Sequence, residues 1–251
     1  MLALLRLLLL ALFFLMLSVF GFLFCLLRPF DPNHVYRFSR LFAGMAPLMG
    51  IKIRIEGWEH LPKGNAVFIG NHQSTWDLFT ACKAVRPGTV TVGKKSLVWI
   101  PFFGHIYWLS GNILIDRKNS ARAKGTIDLT AKRIRNENLS VWLFPEGTRS
   151  YGRGLLPFKS GAFYTALAAG VPIVPICVSS LDNIRLNKWN NGEVLIRYLR
   201  PIETQGLDRK AARELTERCH QLMSDNLEQM NLLIQQKAEG KNQQGKQQKA
   251  E

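Results

Sequence analysis

The longest uncharged stretch of the chain lies near its N-terminus, between Arg6 and Arg28. Residues 7–27 (LLLLALFFLMLSVFGFLFCLL) are almost entirely apolar. As an α-helix rising about 1.5 Å per residue, they are roughly 30 Å long, enough to cross a hydrocarbon core. The run is longer than the apolar part of a secretory signal, and no small-x-small cleavage site follows it. The pattern predicts a retained membrane anchor, which either spans the bilayer or dips into one leaflet.

Two prolines in the next five residues, Pro29 and Pro32, break that helix. Residues 34–51 then mix two arginines with several large apolar side chains. Such a segment either lies on the bilayer surface as an amphipathic helix or packs on the soluble domain as an ordinary one. The residues alone leave both possibilities open.

Beyond residue 50 the pattern alternates between short apolar strands and helices. The predicted strands are residues 51–55, 66–69, 90–92, 113–115, 141–144, 171–178 and 194–199, and the predicted helices are residues 76–85, 122–135, 163–169 and 208–235. This alternation favours an α/β fold, with a mainly parallel sheet flanked by helices. Two prolines within residues 171–178 argue for an edge or irregular position of that strand.

The pattern divides the chain into three parts. Residues 1–50 form the membrane anchor and the possible interfacial helix, and residues 51–236 form the main domain. Residues 237–251 are rich in Gln, Lys and Gly. Since such a composition cannot bury a core, we expect this tail to be disordered.

The chain is strongly basic, with a formal net charge of +15 at pH 7. A surplus of this size attracts nucleic acid, an anionic membrane surface or phosphorylated substrates. Basic residues after the anchor outnumber those before it, which places the main domain on the cytoplasmic side of the membrane. The four cysteines, Cys25, Cys82, Cys177 and Cys219, have no paired spacing and are predicted to be buried thiols.

A histidine and an aspartate stand five positions apart in the segment NHQSTWD, residues 71–77. On one continuous helix, His72 and Asp77 would be about 140° apart. If Ser74 or Thr75 caps a helix, His72 lies in the preceding loop and the carboxylate can accept its Nδ1 hydrogen. Nε2 would then be free to act as a base. A surface or structural histidine is the alternative reading of the same spacing.

A second polar segment, FPEGTRS at residues 144–150, follows a predicted buried strand directly. Ligands of α/β sheets bind at strand ends. Gly147 permits close backbone approach, Thr148 offers a hydroxyl and Arg149 offers a planar fork for phosphate oxygens. The segment therefore predicts a small anion site, with a solvated turn as the alternative.

A third segment, GNILIDR at residues 111–117, also delivers an arginine from a strand end. Arg117 could clamp one phosphate together with the arginine of the second segment. Further positive charge that a bulkier anion could use comes from Lys94, Lys95, Arg153 and Lys159. Each of these four is also explained as a solvated surface charge.

Four blocks in this order resemble those of the glycerolipid acyltransferases: NHQSTWD, GNILIDR, FPEGTRS and VPIVPI at residues 171–176. The stretches VTVGKKSLVWIPFFG and GRGLLPFKSGAF are similar to the bacterial 1-acyl-sn-glycerol-3-phosphate acyltransferases. The resemblance runs from the anchor to about residue 200. It implies transfer of a fatty acyl group from coenzyme A or acyl carrier protein to the 2-hydroxyl of lysophosphatidic acid, giving phosphatidic acid.

The resemblance also implies roles for single residues. His72 would be the general base and Asp77 its orienting partner. Residues binding the glycerol phosphate of the acceptor would be Arg117, Glu146, Gly147, Thr148 and Arg149, and residues 171–176 would pack around the acyl region. Two expectations do not come from the resemblance. By their charge, Lys94, Lys95 and Lys159 could bind the donor or another anion, and the backbone amides near His72 or Gly147 could hold the oxyanion.

The expected partners are a phospholipid bilayer, lysophosphatidic acid and the acyl thioester, which is a co-substrate. No cofactor or metal is expected, because a thioester is already activated. GxSxG and HExxH motifs are absent, which weakens a serine hydrolase or zinc enzyme. Nucleic acid is not an expected partner, since the chain has no recognised reader motif. The expected location is the cytoplasmic face of a bacterial inner membrane.

Overall fold

The computed structural model describes residues 1–116 and 120–247. Its helices are α1 (Leu2–Leu27), α2 (Asn33–Gly44), α3 (Phe103–Leu109), α4 (Ser120–Glu137), α5 (Gly161–Ala169) and α6 (Ala212–Gln247). Its strands are β1 (Ile51–Glu56), β2 (Val67–Gly70), β3 (Thr89–Lys94), β4 (Ile113–Ile115), β5 (Ser140–Leu143), β6 (Ile173–Val178) and β7 (Gly192–Tyr198). Short 3₁₀ helices fill several of the connections.

The strands of the described residues form one sheet in the order β1-β7-β6-β2-β5-β3-β4. Every neighbouring pair is parallel except β6 and β7. Of the flanking helices, α5 and α6 pack on the central strands, and α4 packs on α5. The predicted α/β fold with a mainly parallel sheet is confirmed.

The sequence predicted an edge or irregular position for β6, and the edge position is wrong, since the strand is central and buried along its whole length. Its antiparallel register with β7 begins only at Ile176. Pro175 precedes that point, so its missing N–H breaks no bond of that register. Its carbonyl still accepts a hydrogen bond from the amide of Leu199. A proline is tolerated here because the antiparallel pairing is irregular at this residue, since its register shifts by one between Ile173–Ile202 and Ile176–Tyr198.

The helix predicted over residues 76–85 is also wrong. Two 3₁₀ helices, Thr75–Leu78 and Ala81–Ala84, take its place. The Asp77 side chain accepts hydrogen bonds from two backbone amides before the first of them, which holds the chain in a tight cap. Two smaller differences concern α2, which ends at Gly44, and α6, which runs to Gln247 where a disordered tail is expected from residue 237.

The first helix, α1, is long and apolar enough to cross a membrane. Both of its ends nevertheless contact the main domain. Near the start, the buried Arg6 donates hydrogen bonds to the carbonyls of Leu186, Lys188 and Trp189 at 2.6–3.2 Å. Just after its end, the amide of Phe30 donates to Leu109 of α3. The helix therefore lies along the domain.

The second helix packs between α1 and the domain. The rings of Phe13 and Phe42 lie edge to face at 5.4 Å. A Cβ on Gly21 would lie 3.3 Å from Phe38, so the two helices cross closely. Cys25, Cys177 and Cys219 are buried as predicted, and Cys82 is a half-buried residue.

Candidate active site

The loop that carries His72 leaves the end of β2, in the middle of the sheet. Asn71 is buried, and its side chain both donates to the carbonyl of Val178 and accepts from its amide, at 2.9 and 2.8 Å. Gln73 donates to the carbonyls of Val178 and Ser179 and accepts from the amide of Leu181. These bonds join the loop to the end of β6 and fix the backbone on both sides of His72.

His72 and Asp77 meet as the sequence predicts, with the histidine in the loop and the aspartate in the first 3₁₀ helix. His72 Nδ1 lies 2.7 Å from Asp77 Oδ2. A carboxylate there assigns the ring proton to Nδ1 and leaves Nε2 without a proton. The imidazole stacks on the ring of Phe144 at 4.1 Å between centroids, which fixes its plane. The geometry is that of an oriented base.

The Asp77 carboxylate is itself held in place from several directions. Its Oδ2 also accepts from the amides of Gln73 and Ser74, at 2.8 and 3.0 Å. The Ser74 hydroxyl accepts from the amide of Trp76, which completes a capping box. Asp77 is only 4% exposed. The carboxylate can therefore stabilise an imidazolium without moving.

Glu146 lies behind this loop. Its Oε1 accepts from the amide of His72 at 2.6 Å, and its Oε2 accepts from the amide of Leu156 at 3.0 Å. Burial is the strongest influence on this group and raises the pKa of the carboxyl. Both oxygens are engaged and the residue is 3% exposed. The Glu146 side chain thus supports the loop that carries His72, and the acceptor contact implied by the resemblance stays a prediction.

The three other residues of the second block that the resemblance assigns to the acceptor lie on the wall of a large cavity, together with His72 and Asp77. They are Gly147, Thr148 and Arg149. Gly147 has φ of 71°, and a Cβ there would come within 2.9 Å of Lys159 Nζ. The Arg149 guanidinium donates to the hydroxyl of Tyr151 at 3.3 Å. A backbone turn, a hydroxyl and a guanidinium thus converge beside the base.

The predicted cationic residues divide into three groups. Lys94 lines the cavity, and Lys159 is exposed beside Gly147. Lys95 is exposed and is not on the cavity wall, while Arg153 binds the backbone carbonyls of residues 149 and 150. Arg117, with the neighbouring Lys118, lies outside the described residues. The clamp of two arginines therefore stays a prediction.

The cavity has a volume of about 770 Å³. Part of its wall is apolar and comes from α1, α2, α3 and the second 3₁₀ helix: Phe14, Leu17, Val35, Phe38, Phe42, Ala81 and Ile106. The thiol of Cys82 also lines it, and burial raises its pKa to about 12. A neutral thiol is a poor nucleophile. The cavity suits a ligand with an apolar chain and an anionic head.

Among the backbone amides near His72 or Gly147 that could hold an oxyanion, those of these two residues themselves are engaged. The His72 amide donates to Glu146, and the Gly147 amide donates to the carbonyl of Phe144. Neither amide is therefore available in this arrangement. The sequence reasoning also missed the supporting roles of Asn71, Gln73 and Glu146. A buried strand followed at once by two amide side chains is a signal that could have identified the first two.

Comparisons with known proteins show the family and the fold. A family model described as acyltransferase matches residues 52–179. The 1-acyl-sn-glycerol-3-phosphate acyltransferases of Salmonella typhimurium and Escherichia coli are each 46% identical over 233 residues, covering 92% of this chain and 95% of theirs. A solved 1-acyl-sn-glycerophosphate acyltransferase from Thermotoga maritima has the same fold, with a TM-score of 0.70 at 22% identity, covering 91% of this chain and 97% of that one.

Proposed function

Since the chain belongs to the acyltransferase family, we propose that it transfers a fatty acyl group from a thioester to 1-acyl-sn-glycerol 3-phosphate. The product is phosphatidic acid, and the acyl carrier is coenzyme A or acyl carrier protein. The names of relatives that are 44–46% identical support the acceptor. The reaction belongs to phospholipid biosynthesis.

The observation that carries the proposal is the His72–Asp77 pair on the wall of a largely apolar cavity. The 2.7 Å bond orients the imidazole, and the cavity can hold an acyl chain beside it. Arg149 lies on the same wall and offers a positive charge to a phosphate. Acylation of a lysophosphatidic acid requires three features that this cavity combines: a base, an apolar wall and an anion site.

In the first step, His72 Nε2 removes the proton of the sn-2 hydroxyl while the oxygen attacks the thioester carbonyl. The adjacent Asp77 carboxylate stabilises the imidazolium that forms. The tetrahedral intermediate then collapses, the carbon–sulfur bond breaks, and the imidazolium returns the proton to the departing thiolate. The neutral state of the nearby Cys82 thiol favours this direct transfer over an acyl-enzyme.

The glycerol phosphate of the acceptor binds at residues 147–149. The backbone turn at Gly147 allows close approach, Thr148 donates a hydroxyl, and Arg149 supplies the fork. From the sequence, Arg117 is proposed as a second cation for the phosphate. Lys94 and Lys159 lie near enough to the cavity wall to serve the anionic part of a donor.

We place the enzyme on the cytoplasmic face of a bacterial inner membrane. Because both ends of α1 contact the main domain, the helix lies in one leaflet. Its outer side chains are uncovered, with Leu8 61% and Leu15 61% exposed. The hydrocarbon of one leaflet would remove these apolar side chains from water. The alternative, an α1 that crosses the bilayer, would require Arg6 to leave its three carbonyl partners.

The test is an assay of the purified protein in phospholipid vesicles with palmitoyl-coenzyme A. The acceptors are 1-acyl-sn-glycerol 3-phosphate, glycerol 3-phosphate and a lysophospholipid with a choline head group. We expect phosphatidic acid from the first acceptor alone. Absence of that product while another acceptor is acylated would replace the proposed acceptor. Absence of all products with both thioester carriers would overturn the proposed activity.

A further inference from the structure

We propose that residues 99–102, Trp-Ile-Pro-Phe, form a second lipid-inserting element that presses the cavity against an anionic bilayer. The segment connects the 3₁₀ helix Lys95–Trp99 to α3. Trp99 is 81% exposed, Ile100 45% and Phe102 60%. Soluble surfaces rarely expose several large apolar side chains side by side without a partner.

The turn is held in this outward form by its backbone. The amide of Ile100 donates to the carbonyl of Leu97, and the amide of Gly104 donates to the carbonyl of Ile100. Phe102 has φ of 60° and ψ of −53°, and the amide of Phe103 donates to the carbonyl of Pro101, which makes Phe102 the centre of a strained γ-turn. A Cβ on Gly104 would meet the Val98 carbonyl oxygen at 2.3 Å, so the turn closes tightly. The exposed side chains are therefore carried by a built turn.

The segment continues the uncovered apolar surface of α1. Helix α3, which begins directly after it, packs on α1, and the ring of His105 lies 6.2 Å from that of Phe22. At the other end of α3, Trp108 is 48% exposed and contacts Phe30, which is 45% exposed. A bilayer that covers the outer side of α1 would extend over this neighbouring surface as well.

Charge identifies the partner as an anionic lipid surface. Lys94 and Lys95 lie four to five residues before Trp99 and are exposed. Tryptophan is favoured at the depth of lipid head groups, and each lysine near an anionic leaflet contributes about 1 kcal/mol. This order, two lysines followed by an exposed tryptophan and then aliphatic and aromatic residues, matches the change from head groups to acyl chains.

The same segment borders the cavity, because Lys94, Leu97 and Phe103 line it. Insertion of residues 99–102 would therefore bring the cavity against the leaflet, so that a lysophospholipid could move in sideways with its chain still in hydrocarbon. This consequence rests on the proposed function. The insertion itself does not depend on it.

The first experiment measures insertion without using activity. Wild type and Trp99→Phe are placed in vesicles of phosphatidylglycerol and phosphatidylcholine, with and without brominated acyl chains. The difference between their fluorescence spectra reports Trp99 alone. We expect this difference signal to be quenched by brominated lipid and protected from aqueous iodide. Quenching by iodide but not by brominated lipid would overturn the proposal, whether or not the protein transfers acyl groups.

The second experiment tests lipid access with Trp99→Ser/Phe102→Ser. The matched control is Leu232→Ser/Leu233→Ser, two exposed residues on α6, which packs on β6, β7 and α5. We expect the rate with a long-chain acceptor in vesicles to fall at least about tenfold. The rate with a dissolved short-chain acceptor should change less than about twofold. Equal losses with both acceptors, or no loss with vesicles, would overturn the access role.

Discussion

Buried polar contacts anchor both the loop that carries His72 and the helix α1. The two regions differ in their remaining side chains, which are engaged by the protein in the loop and exposed in α1. In the loop, neighbouring strands and turns engage the side chains of Asn71, Gln73 and Glu146. In α1, Arg6 binds three carbonyls while residues such as Leu8 and Leu12 remain 61% and 55% exposed. The protein itself surrounds the loop, whereas none of the described residues covers the outer side of α1.

This difference suits a reaction between a lipid and a thioester. A general base must keep its orientation during proton transfer, so its supports are internal and rigid. A lipid substrate must pass between bilayer and enzyme, so the surface beside the cavity benefits from contact with hydrocarbon. Variants of Asp77, Arg149 and Glu146 change the region around the loop, and a variant of Arg6 changes the attachment of α1.

The largest effect is expected from Asp77→Asn. The amide keeps the shape of the side chain but removes the charge that stabilises the imidazolium. Turnover should fall by about 10²–10⁴-fold. Asp128→Asn, at an exposed residue paired with Arg209, is the matched control and should stay near wild type. Initial rates in vesicles and circular dichroism of each variant provide the measurement. A fully active Asp77→Asn enzyme would remove the carboxylate from the mechanism.

The next effect concerns the attachment of α1 through Arg6. Arg6→Met keeps an unbranched side chain but leaves the carbonyls of residues 186, 188 and 189 without this donor. We expect the free energy of unfolding to fall by about 2–3 kcal/mol. Amide hydrogen exchange should accelerate in residues 184–191. Leu5→Met, at a 53% exposed position of the same helix, serves as the control. Unchanged exchange would support an α1 that leaves the domain and crosses the bilayer.

A smaller effect is expected from Arg149→Lys, which keeps the positive charge but loses the planar fork. The KM for lysophosphatidic acid should rise about tenfold, with a much smaller change in kcat, because the contact holds the acceptor in both ground and transition states. Arg153→Lys is the control, since Arg153 contacts backbone carbonyls. A change confined to the KM of the thioester would reassign Arg149 to the donor.

The smallest effect is a pH dependence at Glu146. Burial raises the pKa of this carboxyl above its ordinary value of 4.5. The folded state therefore binds the proton more tightly than the unfolded state. The resulting stability is present below the ordinary pKa and is lost as pH rises through the raised one. The stability of wild type relative to Glu146→Gln should decrease over that window in chemical unfolding experiments. A difference that does not vary with pH would contradict the raised pKa.

The sequence predicted the features that depend on local pattern. The strand positions follow from short apolar runs, and the His72 geometry follows from five-residue spacing combined with a capping serine. Prolines and helix length were misleading for two different reasons. The central position of β6 depends on pairing with β2 and β7, which no local pattern reveals. Over residues 76–85, where Asp77 caps the chain locally, two 3₁₀ helices replace the predicted helix.

The supporting side of the site could not be predicted in the same way. Glu146 reads as part of a polar block, but its inward orientation depends on the amides of Leu156, ten residues away, and of His72, which is 74 residues away. Arg6 reads as a charge flanking an anchor, and its carbonyl partners lie about 180 residues away. Contacts of this kind leave no periodic pattern along the chain.

The most direct test of the central claim, that His72 is the general base, compares wild type, His72→Ala and His60→Ala in the same vesicles. His60 is a partly exposed histidine that contacts the carbonyl of Tyr198. The measured quantity is the initial rate of phosphatidic acid formation at saturating acceptor and thioester. We predict a loss of about 10²–10⁴-fold for His72→Ala alone, with unchanged secondary structure. A folded His72→Ala enzyme that retains at least about a third of the wild-type rate would contradict the claim.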